Sequence, residues 1–446
     1  MKAISANSFL ATTLIFLISA SGCRQSTYVE MRTYIDDIKV IDTHEHQGMP
    51  WKKKHNCFDL GLYLHADLIS AGMAEYPDSM QEIHDAEAYW EHTEPYLRFC
   101  RGTSYHTQFI NNYKQLYGFE GEELTREDFL KLSEQTDRNF RNYPGWLDSV
   151  CRKCNIQLML TDQVWAPFNP NTGSEYFGYV FRIDQLVLDV TRSARQQQIV
   201  NAGALELLGR EAIKIMGLDS YLAYVDDVLE KVVDNNAICL KVGLAYHRYL
   251  DVSEVGTATA RRIFDSREPS NEETKLLQDY VFNHIMDRAV EYGLTVQIHT
   301  GYRHGNSSML DTGEPMQLLP LLKRYPHVRF VLFHGAYPWT GEFIVIGKNY
   351  PNVYLDLVWL PQLSRTAAIR TLHEMLDAVP YNKICWGGDV GYIDDAAGSL
   401  EMGREVVATV LSERIDRGWI TRELAEDIAV RIIRENAIDI YNLDLE

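Results

Sequence analysis

Eight short apolar runs are spaced along the chain: IKVIDTHEH at 38–46, IQLMLTD at 156–162, YVFRID at 179–184, AICLKVGLAY at 237–246, LTVQIHTG at 294–301, VRFVLFHG at 328–335, NVYLDLV at 352–358 and KICWGGD at 383–389. Each is rich in β-branched and aromatic residues, and most are bounded by Gly, Asp or Asn, which reads as strand. Amphipathic segments lie between most of them, such as 209–233 and 270–293, and their spacing predicts helices. Strand and helix in alternation imply a parallel sheet, and eight such units close a (β/α)₈ TIM-type barrel. An open doubly wound sheet is the alternative, but no Gly-rich dinucleotide fingerprint follows the first strand.

One stretch breaks the alternation. Between about 48 and 155 the chain is rich in Tyr, His, Glu and Lys, and it reads as a helical insertion after strand 1. Within it, TREDFLKLSEQTDRNF places a helix start at Thr125. The expected organisation is therefore a leader at 1–22, a tether at 23–34, and one barrel from 35 to 446 that includes the insertion.

The leader changes the picture of location. Lys2, the apolar stretch FLATTLIFLISA and Ala20-Ser21-Gly22-Cys23 form a signal peptide too short to span a bilayer comfortably. Small residues before Cys23 resemble a bacterial lipoprotein signal, which makes the protein an exported, cell-envelope or periplasmic lipoprotein held by a lipid on Cys23. An ordinary signal peptide is the alternative. Six further cysteines in 446 residues do not make a disulfide scaffold, and the single Cys151-x-x-Cys154 has no second pair to complete a structural zinc site.

Charge narrows the partners. With 43 Lys and Arg against 62 Asp and Glu, the net charge is −19, which argues against nucleic acid and anionic membrane surfaces. A local basic pocket remains compatible with that balance, so a small carboxylate-bearing substrate is open. Oligomeric state is also left open.

The candidate chemistry sits at the strand ends. His44 and His46 are two apart, so they project from the same side of the first strand. His299 ends the fifth strand, His334 the sixth and Asp389 the eighth, while Lys241 lies in the fourth. In a barrel all these ends face one mouth, where catalytic residues collect. Arg182 in strand 3, Arg303 after strand 5 and Arg248 after strand 4 are candidate clamps for a carboxylate. Trp339, Trp359 and Trp386 are either pocket walls or core.

DTHEH, HTG, HGAYPW and WGGD, in this order, resemble the amidohydrolase superfamily. HTGY with HGAYPW is closest to its amidohydrolase-related (amidohydrolase 2) group, which includes decarboxylases, lactonases and the amidohydrolase-like domains fused to glutamine synthetase. The resemblance covers about residues 35 to 443. It implies His44, His46, His299 and Asp389 as ligands of one divalent ion, and this donor set suits Zn²⁺. It also implies Asp389 as proton acceptor and His334 as the group that steadies a developing oxyanion. A binuclear site bridged by a carboxylated Lys241 is the alternative to Lys241 as a cation that binds the substrate carboxylate.

The expected activity is metal-dependent hydrolysis of an amide or lactone bond in a small carboxylate-bearing molecule. A non-oxidative decarboxylase or a uronate-isomerase-like enzyme is the alternative with the same residues. A catalytically silent ligand-binding lipoprotein is the alternative outside enzymes, and the complete His, His, His, Asp set argues against it.

Overall fold

The structure is a computed structural model that describes residues 26–47, 61–74, 85–266 and 268–445. The leader, Cys23 and Cys57 lie outside the described residues. Eight strands run in chain order around one sheet: β1 (Val40–Glu45), β2 (Ile156–Asp162), β3 (Phe177–Arg182), β4 (Cys239–Val242), β5 (Thr295–Ile298), β6 (Phe330–Leu332), β7 (Val353–Asp356) and β8 (Ile384–Cys385). Every adjacent pair from β1/β2 to β7/β8 is parallel.

Closure between β8 and β1 is made by three backbone bonds, all from residues just past the end of β8. Thr43 N–H donates to Trp386 O at 3.4 Å, Asp389 N–H to His44 O at 2.7 Å and His46 N–H to Val390 O at 2.8 Å. The barrel is thus sewn shut by the same segments that carry the candidate ligands. Helices cover the outside, so both faces of the strands are buried and each strand reads as a nearly continuous apolar run. In β4 and β5 every residue is buried.

The helix Asn271–Tyr292 begins at a capping box on Ser270 and ends at a left-handed Gly293, as the sequence predicts. Thr125 likewise caps the helix Arg126–Phe140 with a box to Asp128. Three expectations shift. The helix expected over 209–233 starts only at Leu218, because Gly209 takes a left-handed φ of 61° and Gly217 is the N-cap. Strand 3 lies two residues earlier than 179–184, so Arg182 is its last residue. The segment left as a tether is a helix over 26–36, α1, whose Met31 and Ile35 are buried and whose Arg32 forks onto Glu401.

The insertion between β1 and β2 contributes α2 (Leu62–Ser70), α3 (Ala86–Cys100), α4 (Ser104–Tyr117), α5 (Arg126–Phe140) and α6 (Tyr143–Cys154). It is built onto the barrel through the long helix Ile393–Asp416. Gly398 of that helix lets α4 approach so closely that an added Cβ would stand 1.9 Å from Asn112 Oδ1.

Candidate metal centre

At the C-terminal mouth, β1 and the loop after β8 bring three donors together. His44 Nε2 lies 3.4 Å and His46 Nε2 3.1 Å from Asp389 Oδ1. Ligands about 2.0–2.1 Å from a tetrahedral ion stand roughly 3.3–3.4 Å apart, so each of these two separations is close to what a shared divalent ion requires. His46 is oriented by its other nitrogen, Nδ1, at 2.8 Å from Asp162 O, an outer contact of the kind that fixes a ligand's ring. His44 is buried, and its Nδ1 has no hydrogen-bond partner among the described residues. Burial, with Lys241 and His46 close by, holds the His44 pKa well below the usual imidazole range. The neutral ring that results is the form a metal needs.

Asp389 has a left-handed φ of 64°, a costly conformation for a side-chain-bearing residue, of the kind that collects at functional sites. Burial pushes its pKa up. The His46 hydrogen bond and the nearby His46, His334 and Lys241 more than offset that and hold it below the ordinary carboxylate value. The residue is therefore a carboxylate across the neutral range.

Lys241 is buried within β4, its Nζ 3.7 Å from the centre of the Phe333 ring and 3.4 Å from His44 Nε2. Burial, reinforced by Arg182, lowers its pKa to about 7, with Asp389 opposing the shift. Together these groups line a cavity of about 260 Å³. Tyr63, Val164, Arg182, Tyr246, His299 and His304 complete its wall.

His299 and His334 are paired. His299 Nδ1 and His334 Nε2 are 2.9 Å apart, His334 Nδ1 is 3.0 Å from Val358 O, and His299 Nε2 is 3.0 Å from Tyr302 O. Burial lowers both pKa values, that of His334 to about 4, so both rings are neutral. Two neutral imidazoles bring two N–H groups to three contacts, so one end contact lacks a proton. In the tautomer where His334 Nδ1 donates to Val358, His299 keeps a bare Nε2, the form able to ligate a cation. His334 itself is fully buried and does not line the cavity. It is placed to orient His299 and stands off the cavity wall, whereas the sequence reading set it against a developing oxyanion.

The arginines also differ from expectation. Arg182 binds Asp162 through Nε at 2.9 Å and through Nη2, and Asp184 through Nη1 at 3.2 Å. Arg303 is spent on the carbonyls of Ala245 and Met309, and Arg248 on Asp279 and neighbouring carbonyls. Each secures a loop, and none is a free carboxylate clamp. Trp359 and Trp386 are core, and none of the three tryptophans lines the cavity.

One residue escaped the sequence reading. Ligand atoms of His44, His46 and Asp162 all lie within 4.8 Å of one another, a cluster able to hold a metal ion. Asp162 is the last residue of β2, so the strand-end criterion that found His299 would have found it too.

Comparison with known proteins agrees with this architecture. Residues 264–443 match the amidohydrolase family model, a span that includes His299, His334 and Asp389. Protein FluG of Emericella nidulans is 28% identical over 233 residues, 49% of this chain. The chain spans only about a quarter (27%) of that protein's length. Among solved structures, a uronate isomerase from Thermotoga maritima superposes with a TM-score of 0.76 at 14% identity, covering 93% of this chain and 97% of the other. A glucuronate isomerase from Caulobacter crescentus gives 0.74 at 19% identity, covering 95% of each. At such identities these neighbours speak to the fold. The family match over the second half of the chain, set in an eight-stranded barrel with histidines and an aspartate at its mouth, makes this chain similar to the amidohydrolases.

Proposed function

We propose that this protein is a metal-dependent hydrolase that cleaves an amide or lactone bond in a small carboxylate-bearing molecule. The observation that supports it most is the meeting of His44 Nε2, His46 Nε2 and Asp389 Oδ1 on the wall of a small cavity beside Lys241. These three groups would hold one divalent ion, Zn²⁺ by donor type, with His299 as a fourth ligand through its bare nitrogen. When bound, such an ion supplies Lewis acidity toward a carbonyl and an acidified water.

The chain's own groups do the rest. Asp389 is ionised and positioned to accept a proton and return it to the leaving group. Lys241, the one cavity cation with no carboxylate held in a salt bridge among the described residues, would pair with the substrate's carboxylate. Tyr63, Tyr246 and His304 shape the cavity around a small molecule. The uronate isomerases that share the fold act, by their names, on acid-bearing sugars, which is compatible with a carboxylate substrate. Residues 1–23 supply the basis for placing the enzyme in the cell envelope on a lipidated Cys23, and globomycin-insensitive processing would remove that placement.

The test is metal content followed by turnover in ¹⁸O-water with substrates found by screening. Bound divalent metal and label in the product are expected. Release of CO₂ without label would replace hydrolysis by decarboxylation, and an unlabelled aldose–ketose conversion would replace it by isomerisation.

A further inference from the structure

The helical insertion matches no motif, yet it reaches the segment that carries Asp389. All six backbone polar groups of Gly388, Asp389 and Val390 are engaged. Gly388 N–H donates to Asp42 Oδ1 at 3.0 Å, and its carbonyl accepts from Gln362 Nε2 at 2.8 Å. Asp389 N–H donates to His44 O at 2.7 Å. Val390 N–H donates to Glu45 Oε2 at 2.7 Å, and its carbonyl accepts from His46 N–H at 2.8 Å. The sixth group, the carbonyl of Asp389 itself, accepts from the hydroxyl of Tyr63. Five anchors belong to the barrel, and the sixth comes from α2 of the insertion.

A second grip lies just downstream. The helix Ile393–Asp416 begins with Asp394 and Asp395, both buried. Asp394 accepts from Trp146 Nε1 at 2.9 Å and from the Tyr117 hydroxyl. Asp395 Oδ1 accepts from Asn112 Nδ2 at 2.6 Å. Gln108 Nε2 reaches both the side chain and the carbonyl of Asp395, at 3.4 and 3.3 Å. All four donors sit on α4 or α6 of the insertion. Tyr63 is itself held in place by Tyr105 of α4, ring centres 5.2 Å apart and nearly parallel, and by Trp359 at 5.1 Å.

We propose that the insertion is a positioning device for Asp389: Tyr63 holds the aspartate's own carbonyl, while α4 and α6 hold the start of the helix that follows it. A left-handed, side-chain-bearing residue persists only where its surroundings over-determine it. Here the barrel supplies part of that determination and the insertion the remainder. Tyr63 is thus a positioning residue, and the insertion is part of the site. The consequence for chemistry rests on reading Asp389 as a ligand and base; the mechanical part does not.

The test uses the whole protein with Tyr63→Phe, which removes one hydroxyl and keeps the ring stacked. A second variant, Trp146→Phe, removes the donor to Asp394 and covers the case in which the first is poorly folded. Hydrogen exchange read by mass spectrometry over residues 386–396 is expected to quicken about tenfold, equivalent to ~1.4 kcal/mol, while β4 to β6 keep their parental protection. Cobalt(II)-loaded Tyr63→Phe is expected to show altered visible bands and weaker cobalt affinity. Parental exchange over 386–396 in both variants overturns the proposal, as does an equal rise across β4 to β6. A parent that takes up no cobalt overturns the metal reading alone, and the exchange result still decides this one.

Discussion

Replacing Lys241 by methionine is expected to make the metal-free protein more stable while abolishing its activity. Lys241 is 1% exposed, and the near neighbours of its amine are the face of Phe333 at 3.7 Å and His44 Nε2 at 3.4 Å. Burial moves its pKa from 10.5 to about 7. At ~1.36 kcal/mol per pH unit, that displacement means ~5 kcal/mol set against the charged form. The ring contact returns ~2 kcal/mol, the scale of a desolvated cation–π pair. A methionine of similar volume escapes the remainder, so about 2–3 kcal/mol of added stability is expected at neutral pH.

The pH dependence follows from the direction of the shift. Below pH 7 both folded and unfolded chains carry the proton, and the full cost applies. Between about 7 and 10.5 the unfolded chain binds more protons, so the parent gains stability as pH rises, by up to the same ~5 kcal/mol, and the advantage of the methionine variant is lost within that window. Urea unfolding of chelator-treated proteins, followed by tryptophan fluorescence from pH 7 to 10, measures both effects. A variant less stable than the parent at pH 7, or an advantage that stays constant to pH 10, would refute the reasoning. Retained turnover would separately remove Lys241 from substrate binding.

Stripping the metal with dipicolinate is expected to abolish activity, and a His44→Ala/His46→Ala double variant to leave the protein folded without bound metal by elemental analysis; full occupancy in that variant would relocate the site. Asp389→Asn keeps a weak oxygen ligand but no base, so turnover is expected to fall by more than the ~10²–10⁴ of acid–base assistance alone while part of the metal stays. His334→Asn, by releasing His299, is expected to cost ~10–100-fold in metal affinity or activity; an effect confined to KM would count against that role. Arg182→Met strands Asp162 and Asp184, and a urea midpoint lower by an amount equivalent to ~3–5 kcal/mol is expected; an unchanged midpoint would mean the pair is solvated.

The strand count, the chain order around the barrel and the residues at the strand ends were all legible in the sequence. These are local signals. A strand buried on both faces must be an apolar run, and a parallel barrel gathers every carboxyl end at one mouth, so His44, His46, His299, Lys241 and Asp389 could be brought together without coordinates. Helix boundaries with a capping residue, at Thr125 and Ser270, were legible for the same reason, whereas the apolar spacing over 209–217 was overruled by two glycines. The tertiary structure alone decided what each polar group does once it arrives. Arg182 looked like a clamp until Asp162 and Asp184, from β2 and the start of the short helix after β3, took up its charge. His334 looked like an oxyanion donor until Val358 and His299 took both its nitrogens. The insertion matched no motif, and only the fold set Tyr63 on the carbonyl of Asp389. Periodicity records which face a side chain occupies, because that depends on neighbours in the chain. Hydrogen-bond partners depend on distances between segments up to hundreds of residues apart, and only the folded packing sets those.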